Sequence, residues 1–373
     1  MAISKVKIDE FLELAVQYPV FDVRSPAEYT HAHIPGAFNL PLFNDAERKV
    51  VGTIYKQEGR EAAIKAGLDY FGPKMRKMVE EVEALVDSKF QTPNSKSHRE
   101  TSGPNLKSVL VHCWRGGLRS VGVAWLLDLY GFKVYTLVGG YKSFRRWAGQ
   151  QFENTPSFNI LGGYTGSGKT IVLKELEHKG ETIIDLEAIA KHKGSAFGDD
   201  ENDPQPRQEM FENILALQIQ KAKLKSQNSP VWLEDESRRI GLANIPDALW
   251  LRMRASPLYF IEVPFEERLE YITLEYSKQE KAKLVNAIIR IQKRLGGLDT
   301  KNAINHLLEN NYKECFRILL RYYDKHYKKS LEQRENLSSL MHPINCDGVD
   351  ARQNAQKLQV EKTNTQWKQQ IQK

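Results

Sequence analysis

The sequence predicts an α/β protein with two parallel-sheet halves, the second carrying a helical extension. Three observations lead there. At 373 residues the chain exceeds the length at which a single core usually stops growing, so two domains are expected. Short apolar runs alternate with helical patterns in both halves, as parallel strands covered by helices require. In each half, one apolar run also ends in a glycine-bearing turn that opens onto a helix: 109–112 before Cys113, and 158–161 before Gly163.

The first domain is expected over 1–150. Residues 20–23 (Val-Phe-Asp-Val) read as a strand, 25–29 as a helical turn capped by Ser25, and 34–37 (Ile-Pro-Gly-Ala) as a turn. Further strands are expected at 109–111 and 134–138, with an apolar helix over 121–129 between them. Residues 91–107 are polar, contain Gly and Pro, and read as a mobile insertion. A linker follows near 151–156.

The second half repeats the pattern, with a sheet domain expected over 151–265. Strands are predicted at 157–161, 182–185, 230–234 and 258–263, and a long amphipathic helix over 207–224. From 266 to 350 the chain reads as a helical extension. One helix covers 279–294 and is stopped by Gly296-Gly297, and another runs over 302–329. The tail, 351–373, is rich in Gln and Lys and reads as a loosely held helix or a disordered segment. No internal repeat is found.

Composition bounds the function. Hydrophobic content of 41% and charged content of 27% are ordinary for a soluble globular protein. Cys113, Cys315 and Cys346 are too few and too scattered for a disulfide framework or a zinc site, which fits a reducing cytoplasm. The N-terminal residues carry Lys5, Lys7, Asp9 and Glu10 and lack a signal-peptide core. No apolar run approaches the roughly 20 residues that span a bilayer.

A formal charge of +7 points to a polyanionic partner. From Lys301 onward, thirteen Lys and Arg face eight Asp and Glu. Arg317, Arg321, Lys325, Lys328 and Lys329 are interleaved with Tyr322, Tyr323, His326 and Tyr327. Cations that track phosphates beside rings that stack on bases would suit RNA. A solvated helix face with core aromatics explains the same pattern, and both readings stand.

Residues 163–170, Gly-Tyr-Thr-Gly-Ser-Gly-Lys-Thr, spell G-x-x-x-x-G-K-[ST] directly after an apolar run. Gly163, Gly166, Ser167 and Gly168 let the backbone wrap with N–H groups inward, over a helix N-terminus whose partial positive charge attracts anions. Lys169 would reach outer phosphate oxygens, and Thr170 would offer its hydroxyl to magnesium. Asp185, at the end of an apolar run, is the expected second metal ligand, with Asp235 as its rival. Asp235 and its acidic neighbours could equally pair with Arg238 and Arg239 as a structural ion network.

Cys113 is the candidate nucleophile. It closes a strand-like run and precedes Trp114, Arg115, Gly116, Gly117, Leu118, Arg119 and Ser120. A turn of backbone N–H groups with a helix start behind it stabilises a thiolate. Arg115, Gly116, Gly117 and Arg119 would hold an anionic substrate. A packed structural thiol is the bland alternative, but it gives the two arginines and two glycines nothing to do. Residues 112–120 also fit the H-C-x-x-G-x-x-R-[ST] pattern of cysteine phosphatases, in which a thiolate attacks phosphorus.

Residues 21–29 (Phe-Asp-Val-Arg-Ser-Pro-Ala-Glu-Tyr) and 31–39 resemble the opening signature of rhodanese domains. Val138-Gly139-Gly140-Tyr141, with Phe144 and Trp147, resembles their closing segment. The order of parts is similar to that of the bacterial tRNA 2-selenouridine synthases, a rhodanese-like domain followed by a P-loop NTPase-like domain. The likeness is carried by residues 113–120, the glycine loop, 185–187, 194–198 and 234–238, and extends to about residue 330.

The resemblance implies a cytoplasmic transferase that replaces sulfur by selenium in wobble 2-thiouridine of tRNA. Selenophosphate would be the donor, and a geranylated thio-intermediate would be made from geranyl diphosphate. Cys113 would carry selenium as a selenylsulfide, and the extension would contact tRNA. Two other readings are kept. One is a rhodanese-type sulfurtransferase or cysteine phosphatase fused to a P-loop kinase. The other is a non-catalytic nucleotide switch that binds RNA.

Overall fold

The structure is a computed structural model and describes residues 3–89, 107–195, 197, 203–227 and 229–371. The chain divides into two compact units, 1–150 and 151–373. The polar stretch 91–107 expected as an insertion lies almost wholly outside the described residues, as do Ala196 and Gly198 of the 194–198 motif.

The first unit is built on five strands: β1 (Ile3–Val6), β2 (Val20–Asp22), β3 (Phe38–Asn39), β4 (Ser108–His112) and β5 (Lys133–Leu137). All pair in parallel, in the order β1-β5-β4-β2-β3. The central strands are buried on both faces, which is why they read as continuous apolar runs rather than alternating ones. Phe21, Val109, Val111, Val123, Leu127 and Val134 form the centre of the core. The apolar helix predicted over 121–129 spans Leu118–Tyr130 and stops at Gly131, which takes a left-handed conformation. Helices Arg60–Phe71 and Met75–Lys89 send Phe71, Met78 and Val82 into the same core, and helix Asp45–Gln57 packs the partly buried Val51 against it.

The second unit has a five-stranded parallel sheet of β6 (Phe158–Gly163), β7 (Ile183–Ile184), β8 (Val231–Glu234), β11 (Leu258–Glu262) and β12 (Met341–Asn345), ordered β12-β11-β6-β8-β7. Two short strands, β9 (Arg239–Ile240) and β10 (Ala243–Asn244), form a separate antiparallel ribbon. The predicted helix over 207–224 spans Gln208–Ser226.

Two expectations beyond residue 265 are corrected. The extension is not helical throughout, because 341–345 forms β12 alongside β11. Its sequence, Met-His-Pro-Ile-Asn, has no strand periodicity, and it is an edge strand that tolerates Pro343. The helix expected over 302–329 is two, Gly297–Leu308 and Tyr312–Glu332. Asn310 between them takes a left-handed conformation (φ 63°) and Asn311 caps the second by accepting from Glu314 N. The tail is a helix, Ala351–Ile371, the first of the two forms expected. As far as Lys362 it is docked rather than loose, with Ala355 and Leu358 buried and Lys362 Nζ donating to both Glu181 oxygens at 2.7 and 2.8 Å.

Candidate functional site

The cysteine loop leaves β4 at His112 and enters the helix Leu118–Tyr130 at Gly117. Gly117 N–H donates to Cys113 Sγ at 3.3 Å, and Ser120 Oγ lies 3.2 Å from the same sulfur while donating to Gly117 O at 3.0 Å. Both partners come from the helix start, where the backbone dipoles favour negative charge. The loop backbone is seated on the segment that follows β5. Tyr141 N–H donates to Cys113 O at 2.8 Å and Lys142 N–H to Trp114 O at 3.0 Å. Gly140 must be glycine here. Its φ is +59°, and a Cβ would collide with the Cys113 carbonyl and the Gly116 amide nitrogen.

A buried ion pair sits beneath this seat. Arg24 Nε lies 2.9 Å from both Asp22 oxygens, and its Nη2 is 2.5 Å from Oδ2 and donates to Ala32 O at 2.7 Å. The guanidinium lies 3.9 Å from the centroid of Tyr141, whose amide holds the Cys113 carbonyl. Burial alone would raise the Asp22 carboxyl, but the Arg24 guanidinium, bonded to both of its oxygens, outweighs it and holds it below its ordinary range. Burial drives His112 the other way, toward the neutral imidazole.

The two arginines of the loop differ. Arg115 is exposed and makes no side-chain hydrogen bond or ion pair with a described residue. Arg119 is held by Glu28, Nη1 to Oε2 at 2.7 Å. Burial raises the Glu28 carboxyl, yet Arg119 and Arg48 keep it below its usual value. In the sequence Glu28 stands in the 21–29 signature segment, and locally it completes the capping box that starts the helix Pro26–His31.

The phosphate loop leaves β6 and enters the helix Lys169–His178 at Gly168. Gly166 has φ +81°, and a Cβ there would lie 2.6 Å from Ile272 Cδ1, so helix Phe265–Tyr276 packs on bare backbone. Ser167 is fully buried with an unpartnered Oγ. Lys169 Nζ donates to Gly163 O at 3.0 Å and lies 3.4 Å from Glu234 Oε1, while Thr170 Oγ1 donates to Glu234 Oε2 at 3.1 Å.

The acidic residues at this end have different partners, and the Asp185 charge is felt by Glu187 and Glu234. Asp185 caps the helix Leu186–Ala190, accepting from Ala188 N at 2.9 Å. Asp235 is taken by Tyr327 and Arg334, at 2.7 and 2.8 Å. Glu187, Glu234 and Glu236 bring oxygens within 4.8 Å of one another. Gly194 lies against Glu187 and Glu236, which puts part of the 194–198 motif at the cluster. Burial first, and then the Glu234 charge, push Glu187 up to about 8. The same two causes raise Glu236 well above the carboxylate range. Arg238 and Arg239 do not neutralise the cluster: Arg238 pairs with Asp247, and Arg239 Nε donates to Gly241 O at 2.8 Å. Hard oxygen donors beside a phosphate loop suit magnesium, whose binding would displace their protons.

In the extension, several residues that read as exposed cations and rings have internal work. Arg317 pairs with Glu266 and Glu314, and Tyr327 bonds to Gly163 N–H and Asp235. No described helix is long and apolar enough to cross a membrane.

Comparison with known proteins covers both units. The family model for the rhodanese-like domain matches residues 7–146, and that for the tRNA 2-selenouridine synthase AAA domain matches 156–343. The chain is 34% identical to a tRNA 2-selenouridine synthase of Bdellovibrio bacteriovorus, over 90% of this chain and 94% of that one. It is 35% identical to proteins of the same name from Sulfurovum sp. (89% and 93%) and Shewanella denitrificans (87% and 92%).

Proposed function

The chain belongs to the tRNA 2-selenouridine synthase family, and from that premise we propose how its two loops divide the reaction. As a member it is a transferase that makes 2-selenouridine in tRNA. In the proposal, the base is 2-thiouridine at the wobble position, and selenium arrives as selenophosphate. Cys113 is the selenium-handling thiol. Arg115 and the Gly116 and Gly117 amides receive the phosphate-like anion, and Arg119 contributes once the anion competes with Glu28.

The phosphate loop takes the diphosphate of an alkylating substrate, geranyl diphosphate. Alkylating the base sulfur converts a poor leaving group into a good one, so that selenium can form the new C–Se bond as the alkylthiolate departs. Lys169, the Ser167 hydroxyl and the amides of Gly166, Gly168, Lys169 and Thr170 neutralise the diphosphate, with Gly163 shaping the turn that presents them. Bound magnesium would spread the charge of the departing diphosphate, and Thr170 with Glu234, Glu187 and Glu236 would hold it. The extension over 266–350 is the proposed tRNA contact, and the compartment is the cytoplasm.

The observation that carries this reading is the thiol of Cys113, held by Gly117 N–H at a helix start, with Arg115 two positions on and unpaired among the described residues. The test is nucleoside mass spectrometry on 2-thiouridine tRNA incubated with geranyl diphosphate and selenophosphate. Wild type should add the geranyl mass and then exchange sulfur for selenium. Cys113→Ser should stop at the geranylated base, whereas Lys169→Ala should not reach it. Full selenation by Cys113→Ser would sink the proposed role of the thiol.

A further inference from the structure

The helix Tyr312–Glu332 presents two faces with different chemistry. Its inward face grips the phosphate loop at two points. Tyr327 Oη accepts Gly163 N–H at 3.3 Å and donates to Asp235 Oδ2 at 2.7 Å; Asp235 also accepts from Arg334 at 2.8 Å. Three residues earlier, Asp324 takes both ends of the Arg268 guanidinium, at 2.9 and 2.8 Å. Arg268 also donates to Thr165 O at 3.0 Å. One helix face thus fixes the loop at Gly163 and, through Arg268, at Thr165.

The other face is cationic. Lys325 and Lys329 recur at i and i+4, on the side turned away from Asp324 and Tyr327. The helix Lys281–Leu295 packs on the same core, its Leu295 clustering with Phe316, Leu319 and Leu320. The neighbouring Arg294 is one of three cations, with Lys325 and Lys329, whose charges act on His326. All three cations are exposed, and none pairs with a described acidic residue. Arg317, on the same helix, is by contrast neutralised by Glu266 and Glu314. Clustered, unpaired cations repel one another, and a phosphate backbone relieves that repulsion.

We propose that Arg294, Lys325 and Lys329 dock the sugar-phosphate backbone of the tRNA substrate, and that Tyr327 couples this docking to occupancy of the phosphate loop. The inference rests on tRNA being the substrate and goes beyond it in naming the surface and the link. A ligand in the loop and an RNA on the outer face both favour one placement of the same helix. Each therefore tightens the other, because such coupling is reciprocal. Tyr327 acts as a positioning residue and touches no reacting atom.

The experiment titrates a 2-thiouridine tRNA into the full chain by fluorescence anisotropy, with and without saturating pyrophosphate. Wild type should bind tRNA about fivefold tighter or more with pyrophosphate, the low end of ordinary coupling energies. Tyr327→Phe should keep pyrophosphate binding yet give the same tRNA Kd in both conditions. A merely structural hydroxyl would lower both affinities and leave their ratio intact, which would overturn the coupling. So would equal wild-type affinities.

For the surface, the triple change Arg294→Glu, Lys325→Glu, Lys329→Glu alters exposed side chains only. It should flatten the slope of log K against log salt by about 0.7–0.9 per lost phosphate contact. Wild-type affinity and slope in this variant would remove the docking face. Selenation by wild type, followed in the same preparation, separates failure of this link from failure of the synthase reading.

Discussion

Arg119 Nη1 donates to Glu28 Oε2 at 2.7 Å, joining a residue of the cysteine loop to the first turn of a helix 91 positions earlier. The second loop arginine therefore faces an internal competitor for any anion that arrives at Cys113. Glu28→Gln keeps a capping-box side chain and frees Arg119. Inhibition of selenation by inorganic phosphate should then strengthen by roughly two- to fivefold, the range of a partly exposed ion pair. An unchanged inhibition constant would mean that Arg119 never meets the anion.

The Asp22–Arg24 pair, almost fully buried at 0% and 1% exposure, predicts a stability effect. Asp22→Asn leaves the Arg24 charge buried with its carboxylate gone, which typically costs about 3–5 kcal/mol. Thermal denaturation should show the first unit melting about 10 °C lower or more. A melting curve identical to wild type would mean the pair stabilises nothing.

Gly140→Ala tests the seat of the cysteine loop. The added methyl meets the Cys113 carbonyl at a residue with φ +59°, so the loop must shift and Sγ with it. Misplacement of about 1 Å can cost on the order of a hundredfold in rate. Selenation of pre-geranylated tRNA should fall to that extent, while calorimetry finds pyrophosphate binding unaltered. Parallel loss of both would point to global unfolding instead.

The carboxylate cluster predicts a pH dependence with a definite sign. Glu187 titrates near 8 when folded against an ordinary 4.5. Between those values the native state binds more protons than the unfolded one, so stability falls as pH rises from about 4.5 to 8. A divalent cation prefers the ionised oxygens and should reverse the trend. Melting temperature should drop between pH 5 and 8 without magnesium, and millimolar magnesium should raise it most at pH 8. In Glu187→Gln the magnesium effect should shrink. A magnesium response equal at pH 5 and pH 8 would argue against metal binding at this cluster.

Sequence alone determined the parts whose chemistry is local. The phosphate loop, the cysteine loop and the capped turn at Ser25 are each written within a few residues, because turn geometry and helix starts depend on neighbours in the chain. The central strands were legible for the same reason: burial on both faces leaves an unbroken apolar run. What only the tertiary structure decided is which side chains meet across sequence. Thr170 finds Glu234 64 residues away, Arg119 finds Glu28, and Tyr327 reaches Gly163 across 164 residues. Asp185 and Asp235 look alike in the sequence, and only the fold shows that Asp185 caps a helix beside the Glu187–Glu234 cluster whereas Asp235 pairs with Tyr327 and Arg334. Strand β12 pairs because β11 offers a free edge, not because its own pattern demands a strand. Such contacts follow from strand order and helix packing, which the whole core settles and no local spacing records.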